Sequence, residues 1–472
     1  MLYLRNDVKR SVFSLFLIFF LFSSFLNFLQ AQDQKEKPPY LEIAEKILKK
    51  GLRDEQAYAI LERLTSIGGR LSGSPQASAA VELMHQKMKD VGLDEVYLEP
   101  ITVQRWVRGA PEEARIINST TAGTIPLSIC AIGGSIATPK TGITAQVLEV
   151  KSFEELKQFG EKAKGKIIFF NRPMDPTFIN TFQAYGKAVG QRVRGAVEAA
   201  KVGAVAVLVR SLTTRVDDFP HTGLMRYDPQ VPKIPAGAIS TKSANFLSKI
   251  LKREPSLNVY MKLNCQNLFP VTSFNVIGQI TGSKKPNEII LLGAHLDSWD
   301  LGVGAHDDGA GCAQVVEALR LLKELGLKPK RTIRGVLFMN EEFGVTGGRD
   351  YANAENRKVE DHLAAIESDR GGFLPLGFSV GGDSSTVKHL QKWEYLFKPL
   401  GMYWIHPGGG GADIAPLAKL GTITIGLVPD SQRYFDVHHS AKDVLDAVNP
   451  RELELGAIAM AIFAYVLAQE GI

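Results

Sequence analysis

The second half of the chain alternates between strand-like and helix-like segments, and this alternation limits the possible folds more than any other feature. The segment EIILLGAHLD (288–297) carries an uninterrupted apolar run that is typical of a strand buried on both faces. Helix-like segments with apolar residues at helical spacing occur at 310–326 and 452–469. The pattern predicts an α/β domain built on a doubly wound, mostly parallel mixed sheet. Such sheets bind ligands beyond the carboxyl ends of their strands.

A stretch in the first half has a different pattern of apolar and polar segments, which predicts a second module. Short strand-like runs such as GKIIFFN (165–171) and GAVAVLVR (203–210) are separated by one clear helix and a polar loop. The stretch has no plausible cluster of catalytic groups, and its single His221 is interpreted as a loop residue. We therefore predict an inserted α/β domain over residues 121–265. It would cover or shape a site in a catalytic domain formed by residues 40–120 and 266–472.

The N-terminus has the three parts of a secretory signal peptide. Basic residues lie within the first ten positions, an uncharged apolar run covers 11–29, and a polar segment begins near Ala31. Cleavage after Ala31 predicts a signal peptide over 1–31 and a secreted or periplasmic protein with no stable membrane association. An uncleaved anchor is the alternative, because the apolar run approaches the length of a membrane span.

Charge and cysteine content exclude two classes of protein. The formal net charge is only +5, and no segment concentrates basic residues into the stripe that a nucleic-acid-binding protein carries. Nucleic acid is therefore not expected as a partner. The three cysteines lie far apart in the sequence, which predicts neither a disulfide framework nor a thiolate zinc site.

Polar residues follow the strand-like segments at the points where those segments end. Five of them have side chains that suit a metal ion: His295, Asp307, Glu342, Asp369 and His439. A buried group of carboxylates without cations would be strongly repulsive. Histidine with aspartate or glutamate is a ligand set that suits zinc. Because one carboxylate can bridge two metal ions, these five residues predict a site for two Zn²⁺.

Two more acidic residues lie next to the predicted ligands. Glu341 precedes Glu342 and would point to the other side of the strand or turn, where it can reach a metal-bound water without binding metal. That placement suits a general base. Asp297 lies two residues beyond His295 and is predicted to accept the other N–H of that imidazole, which would fix its tautomer.

Each of these motifs has a simpler explanation when it is taken alone. An Asp-Asp pair before a helix is common as a turn and N-cap, because carboxylates accept hydrogen bonds from the free N–H groups there. Acidic pairs at strand ends are also common on solvated surfaces. Only the combination, on successive elements of one α/β pattern, favours a metal site.

Several segments resemble the motifs of the co-catalytic di-zinc aminopeptidase and glutamate carboxypeptidase family: HLDSWD, GAHDDGAG, FMNEEFGVTGG, ESDRGGF and HHS. The resemblance covers nearly the whole chain after the signal peptide. It includes the helix start GGRLSGSP and the inserted module, which is similar to a protease-associated domain. It implies the zinc exopeptidase fold and a secreted metallopeptidase.

The resemblance also implies individual roles. His295 and Asp369 would hold one zinc ion. Glu342 and His439 would hold the other, with Asp307 as the bridge between them. The general base would then act on a zinc-bridged hydroxide and pass its proton to the leaving amine.

Two positions depart from the family pattern. His306 precedes the bridging aspartate where relatives often carry asparagine, methionine or a small residue; it is interpreted as a loop residue, with an extra polar neighbour of the site as the alternative. His438 occupies a position that is often tyrosine in relatives, where it stabilises the oxyanion. His438 and Tyr434 are both candidates for that role, and His438 in place of His439 as the ligand is an alternative.

Specificity is less defined by the sequence. Asp413 follows four glycines and is a candidate contact for a substrate ammonium group, with a helix cap as the equal alternative. The resemblance implies hydrolysis of dipeptides or short peptides with free termini, and it admits a homodimer. A broad-specificity zinc aminopeptidase is the alternative. A single-zinc glutaminyl cyclase and an inactive receptor or binding protein are less favoured, because the full ligand set is present.

Overall fold

The computed structural model describes residues 38–472, with no side-chain position for residue 358. The predicted signal peptide, 1–31, lies outside the described residues. Within them the strands are β1 (Glu95–Val107), β2 (Glu113–Ser119), β3 (Gly123–Pro126), β4 (Ile129–Ala131), β5 (Ile143–Val150), β6 (Ile167–Phe170), β7 (Ala206–Arg210), β8 (Ala236–Ile239), β9 (Asn258–Lys262), β10 (Gln266–Ile280), β11 (Lys285–His295), β12 (Arg331–Phe338), β13 (Asp361–Glu367), β14 (Pro375–Val380), β15 (Trp404–Pro407) and β16 (Ile423–Pro429).

The α-helices of the described residues are mostly short, and three of them are longer than fourteen residues. They are α1 (Leu41–Asp54), α2 (Gln56–Thr65), α3 (Pro75–Asp90), α4 (Phe153–Phe159), α5 (Thr181–Ala188), α6 (Gly190–Lys201), α7 (Thr241–Leu251), α8 (Ala310–Glu324), α9 (Thr346–Asn353), α10 (Ser384–Gln391), α11 (Ala415–Ala418), α12 (Tyr434–Val437) and α13 (Pro450–Glu470).

The first sheet has the strand order β1-β10-β12-β11-β13-β16-β14-β15. Its central strands β12, β11, β13 and β16 run parallel to one another, and β1 and β10 form an antiparallel edge. The apolar run of β11 is buried because α8 and α13 pack against the strand. The predicted α/β fold class, with a mostly parallel mixed sheet, is confirmed.

Strand register brings the carboxyl ends of the central strands level. His295, the last residue of β11, pairs with Phe338 at the end of β12, and Gly293 pairs with Glu367 at the end of β13. The residues that follow these strands therefore emerge at the same edge of the sheet, as the sequence predicted.

Helix α13 is long and apolar enough to cross a membrane, but 94% of its apolar window is buried inside the protein. Proline at its start and the side chain of Asn449, which accepts hydrogen bonds from the N–H groups of Arg451 and Glu452, define its N-terminus. It packs against α8 as a core helix.

The second sheet has the order β3-β2-β9-β5-β6-β7-β8-β4. Strands β5 to β8 are parallel, and the core beneath them includes Phe169 and Leu208. The sheet begins with β2 at Glu113, before residue 121, and ends with β9 at Lys262. The limits 121–265 for an inserted domain remain a prediction.

Candidate metal centre

One carboxylate, that of Asp307, lies between two histidines. Its Oδ1 is 3.2 Å from Nε2 of His295, and its Oδ2 is 3.2 Å from Nε2 of His439. The next residue, Asp308, accepts hydrogen bonds from the backbone N–H groups of Gly311 (3.0 Å) and His295 (3.1 Å). The capping explanation therefore fits Asp308, at the start of α8, whereas Asp307 faces the histidines.

Two further carboxylates complete the arrangement. Asp369, which follows β13, has its Oδ1 3.4 Å from Nε2 of His295. Glu342, which follows β12, has its Oε2 3.2 Å from Nε2 of His439. The structure thus brings all five predicted ligands together, in two adjoining groups that share Asp307.

This donor set fits a pair of divalent metal ions. The buried oxygens Oδ2 of Asp307 and Oε1 of Glu342 receive no hydrogen bond from the described residues. A buried carboxylate oxygen without a donor is costly, and a bound cation would remove that cost. Three overlapping groups of histidine and carboxylate residues here offer ligand atoms within 4.8 Å of one another. Nitrogen and oxygen donors of these types suit zinc.

The carboxylates also favour positive charge on the two histidines. Burial opposes that charge, but hydrogen bonds to Asp307 and Asp369 raise the pKa of His295 well above its usual value. Burial likewise disfavours protonation of His439, yet Glu342 and Asp307 raise the pKa of His439 well above its usual value. The site therefore attracts cations, and a bound metal ion would replace these protons.

Glu341 lines the same cleft and is half-buried. Burial raises the pKa of Glu341 well above its usual value, and the neighbouring carboxylates of Asp369 and Glu342 add to the shift. A carboxyl group in a cleft with a raised pKa is suited to accepting and returning a proton.

Asp297 differs from its prediction. Its backbone carbonyl oxygen lies 2.9 Å from Nδ1 of His295, whereas its carboxylate is 3.8 Å from that nitrogen. The carboxylate turns away because the backbone N–H groups of residues 340–342 and the hydroxyl of Ser72 donate hydrogen bonds to it. The carboxylate therefore holds the turn after β12 rather than the imidazole.

Two supporting residues were not predicted. The indole N–H of Trp299 donates a hydrogen bond to Oε2 of Glu342. The carboxylate of Asp443 accepts hydrogen bonds from the backbone N–H groups of His306 (2.7 Å) and Asp307 (3.1 Å), which fixes the turn that carries Asp307. A tryptophan four residues after a candidate ligand is a signal that sequence analysis can use. Asp443 offers no comparable signal.

His438 is buried beside the proposed ligands Asp307 and His439. Its ring stacks on that of His439, with centroids 3.5 Å apart, and its Nε2 is 3.7 Å from Oδ2 of Asp307. Burial lowers the pKa of His438 well below its usual value. Tyr434 packs beside His438, with ring centroids 5.2 Å apart, and both line the cleft. Their position keeps both as candidates for contacting an oxyanion.

The ring of His306 bonds to neighbouring loops and not to the proposed metal ligands. Its ring stacks on Phe373 with centroids 4.1 Å apart, its Nδ1 accepts a hydrogen bond from the N–H of Gly372, and its Nε2 donates to the carbonyl of Ala447. Both ring nitrogens are therefore used away from the metal ligands, in agreement with its interpretation as a loop residue.

Asp413 does not line the cleft, and it does not cap a helix. Its side chain is fully buried, and both carboxylate oxygens lack a hydrogen-bond partner among the described residues. Ile414, and not Asp413, is the N-cap residue of α11, so the capping alternative is also wrong. The glycine-rich loop folds inward against Glu367, whose carboxylate accepts a hydrogen bond from the N–H of Ile414, and this buries Asp413.

The module around the second sheet contributes one wall of the site. The carbonyl of Thr222 lies 3.4 Å from Nδ1 of His439 and accepts a hydrogen bond from the guanidinium of Arg192. Nδ1 of His221 lies 2.7 Å from the carbonyl of His438. His221 therefore lies in a loop, as predicted, and is buried at this junction. The ligands and this wall enclose a cleft of about 360 Å³.

Comparisons with known proteins agree with this geometry. The family model described as Peptidase family M28 matches residues 275–466. Carboxypeptidase Q of Bos taurus is 38% identical over 419 residues, which cover 89% of this chain and 86% of that protein. Carboxypeptidase Q of Homo sapiens is 37% identical over the same shares. The chain belongs to peptidase family M28.

Solved structures show the same fold. An M28 peptidase precursor from Shewanella amazonensis is 36% identical, with a TM-score of 0.87, and the match covers 92% of this chain and 97% of that one. A zinc aminopeptidase from Bacillus subtilis has a TM-score of 0.63 at 20% identity, over 88% and 96% of the two chains, and bears on the fold alone. Membership of family M28 confirms the predicted family and the enzyme class, a zinc exopeptidase that acts on peptides.

Proposed function

We propose that this M28 peptidase is a secreted or periplasmic di-zinc exopeptidase that hydrolyses dipeptides or short peptides with free termini. The observation that carries the proposal is the position of Asp307, whose two carboxylate oxygens lie 3.2 Å from the imidazoles of His295 and His439 respectively. A carboxylate between two histidines, each with a second carboxylate partner, is the arrangement that a bridged pair of zinc ions needs.

The proposed ligand set divides into two groups. His295 and Asp369 would hold one zinc ion, Glu342 and His439 would hold the other, and Asp307 would bridge them. Bound zinc supplies Lewis acidity, which polarises a carbonyl oxygen and makes water a stronger acid.

The chain's own residues would move the proton. Glu341 would take a proton from the attacking water and return it to the nitrogen of the leaving amine, which its raised pKa favours. Hydrogen bonds from the turn to Asp297 hold the backbone of Glu341 in place. His438 and Tyr434, which line the cleft, would contact the oxygen of the substrate carbonyl as negative charge develops on it.

The substrate proposal rests on the size of the cleft and on the curated relatives. A cleft of about 360 Å³ holds a few residues of a peptide and not a folded chain. The relatives of highest identity named above are carboxypeptidases by name. Secretion through residues 1–31, the inserted domain over 121–265 and a homodimer complete the proposal.

Metal analysis combined with a peptide panel tests this function. The mature protein should contain two zinc ions per chain, and its hydrolysis of an unblocked dipeptide should disappear with a chelator and return with zinc. The same dipeptide with a blocked N-terminus and with an amidated C-terminus should be included. Full activity on the amide with none on the N-blocked peptide would show an aminopeptidase instead, and one zinc ion per chain would favour a cyclase.

A further inference from the structure

An arginine without a partner lines the cleft beside the candidate metal centre. Arg226 is exposed, and within residues 38–472 its guanidinium forms no hydrogen bond or ion pair. The other arginine of the cleft, Arg192, differs because its guanidinium donates to the carbonyl of Thr222 and the hydroxyl of Tyr185. Arg226 is therefore the cationic side chain of this cleft that is free to bind a ligand.

The charges around the cleft favour an anionic group near Arg226. Four carboxylates line the cleft, and all four belong to the proposed ligands or to the proposed base: Asp307, Glu341, Glu342 and Asp369. Two zinc ions would balance their charge, so that Arg226 contributes positive charge in excess. Asp413, a candidate contact for a substrate ammonium group, is fully buried and does not line the cleft. The described cleft thus has a cationic side chain that the proposed metal site does not use, and no carboxylate that the site does not use.

The backbone that carries Arg226 is fixed. The N–H of Met225 donates to the carbonyl of Gly133, and the N–H of Arg226 donates to the carbonyl of Val193. The guanidinium extends towards Gly344, where a Cβ atom would lie 3.2 Å from it. The N–H of Gly344 donates to the carbonyl of Glu341, so the guanidinium lies beside the turn that carries the proposed base.

We propose that Arg226 binds the free C-terminal carboxylate of the peptide substrate and so makes this enzyme a carboxypeptidase-type dipeptidase. The inference rests on the proposed function, because it uses the same cleft and the same scissile bond. Guanidinium groups pair with carboxylates through two parallel hydrogen bonds, which gives both affinity and orientation. A free C-terminus is the anionic group that every dipeptide carries.

Kinetics on matched substrates test the assignment. The substrates are alanyl-leucine and alanyl-leucinamide, and the proteins are the wild type, Arg226→Gln, Arg226→Lys and the control Arg253→Gln, an exposed arginine of the same module outside the cleft. We expect Arg226→Gln to lose about 10- to 100-fold in kcat/KM on the free acid and less than about 3-fold on the amide. Arg226→Lys should fall between the two, and Arg253→Gln should match the wild type.

Two results would overturn the assignment. One is an equal loss, or no loss, on the acid and the amide. The other is a loss on alanyl-glutamate that exceeds the loss on alanyl-glutamine while alanyl-leucine is unaffected, because Arg226 would then bind an acidic side chain.

Binding of a product separates this inference from the proposed function. Titration calorimetry of zinc-loaded protein with leucine and with leucinamide needs no turnover. Tighter binding of leucine that Arg226→Gln abolishes supports the assignment even if no dipeptide is hydrolysed, in which case the proposed function is what fails. Equal binding of leucine by the wild type and Arg226→Gln overturns the assignment, whatever the peptidase activity.

Discussion

The carboxylate of Asp297 accepts a hydrogen bond of 3.0 Å from the backbone N–H of Glu341. The same carboxylate accepts hydrogen bonds from the N–H groups of Asn340 (2.7 Å) and Glu342 (3.3 Å) and from the hydroxyl of Ser72 (2.7 Å). One buried acid therefore fixes the turn that carries both the proposed base and a proposed metal ligand. Charge-assisted hydrogen bonds of this kind are about twice as strong as neutral ones.

Asp297→Asn should lower kcat by about 10- to 100-fold, because one of the two carboxylate oxygens becomes an amide nitrogen that cannot accept an N–H of the turn, and the loss of negative charge weakens the hydrogen bonds that remain. Steady-state kinetics and zinc content measure the two effects separately. Ser72→Ala, which removes one donor and keeps the carboxylate, is the control and should cost less than about 5-fold. Wild-type kcat in Asp297→Asn would show that the turn is held by other contacts.

Glu341→Gln should keep two zinc ions per chain and lose about 10²- to 10⁴-fold in kcat, since a glutamine cannot accept the proton. Glu342→Gln, the adjacent position, is the matched comparison and should instead lose zinc. Metal analysis and turnover of an unblocked dipeptide distinguish the two variants. Near-normal turnover by Glu341→Gln would assign the base elsewhere.

Trp299→Phe should weaken zinc binding by about 10- to 100-fold, because the phenyl ring keeps the packing against Trp106 and Phe343 but cannot donate a hydrogen bond to Glu342. Competition with a chromogenic chelator measures the affinity. Trp106→Phe removes an indole N–H that donates to the carbonyl of Ser135 and to none of the proposed ligands, and it should leave zinc affinity unchanged. If both variants bind zinc like the wild type, the Trp299 hydrogen bond does not support the metal.

Gly223→Ala should reduce zinc affinity and activity, because the added methyl group would lie 2.6 Å from Nδ1 of His439 and would crowd the guanidinium of Arg192. The backbone at Gly223 also has a positive φ of +129°, which strains any other residue. Gly165→Ala is the control for strain alone, since Gly165 has a φ of +72° and open space around it. Equal zinc affinity in the two variants would mean that Gly223→Ala acts through backbone strain alone and not through crowding of His439.

Parts of this site could be predicted because they follow from strand order alone. His295 ends one parallel strand, Glu342 and Asp369 lie in the turns after two others, and the carboxyl ends of parallel strands meet at one edge. Asp307 was predictable from its place before a helix in the same α/β unit. The motif positions thus carried enough information to name the five residues that come together.

The contacts that support those residues depend on packing between distant segments. Asp443 and Thr222 lie in loops whose path no local pattern specifies. The Asp443 carboxylate binds the backbone N–H of Asp307, and Thr222 contacts His439 through its own backbone carbonyl, so both contacts involve backbone groups that every residue has. Asp297 was assigned to the wrong partner because three N–H groups of a neighbouring strand's turn compete for its carboxylate. Asp413 was predicted either to contact a substrate ammonium group or to cap a helix, but the glycine-rich loop that carries it folds inward and buries it.

A buried acid far from the cleft makes the stability of the protein depend on pH. Glu454 on α13 has no exposed surface, and its Oε2 accepts a hydrogen bond from the N–H of Ala57. Burial and the nearby carboxylate of Glu317 raise the pKa of Glu454 to about 8. In the unfolded chain a glutamate titrates near its usual value of about 4.3.

Between these two pKa values the folded protein binds more protons at Glu454 than the unfolded chain does, so the contribution of this group to the free energy of unfolding falls as the pH rises from about 5 to about 8. Glu454→Gln is neutral at every pH and should remove that decline. The free energy of unfolding of Glu454→Gln minus that of the wild type should be larger at pH 8.5 than at pH 5, by at least about 1 kcal/mol. Urea unfolding of the two proteins at both pH values checks this.

Glu452→Gln, on the same helix in a partly exposed ion pair with Arg433, should keep the wild-type decline. Parallel pH profiles for Glu454→Gln and the wild type would show that Glu454 is ionised in the folded protein, with its charge offset by Arg320 or by the helix start at Ala57.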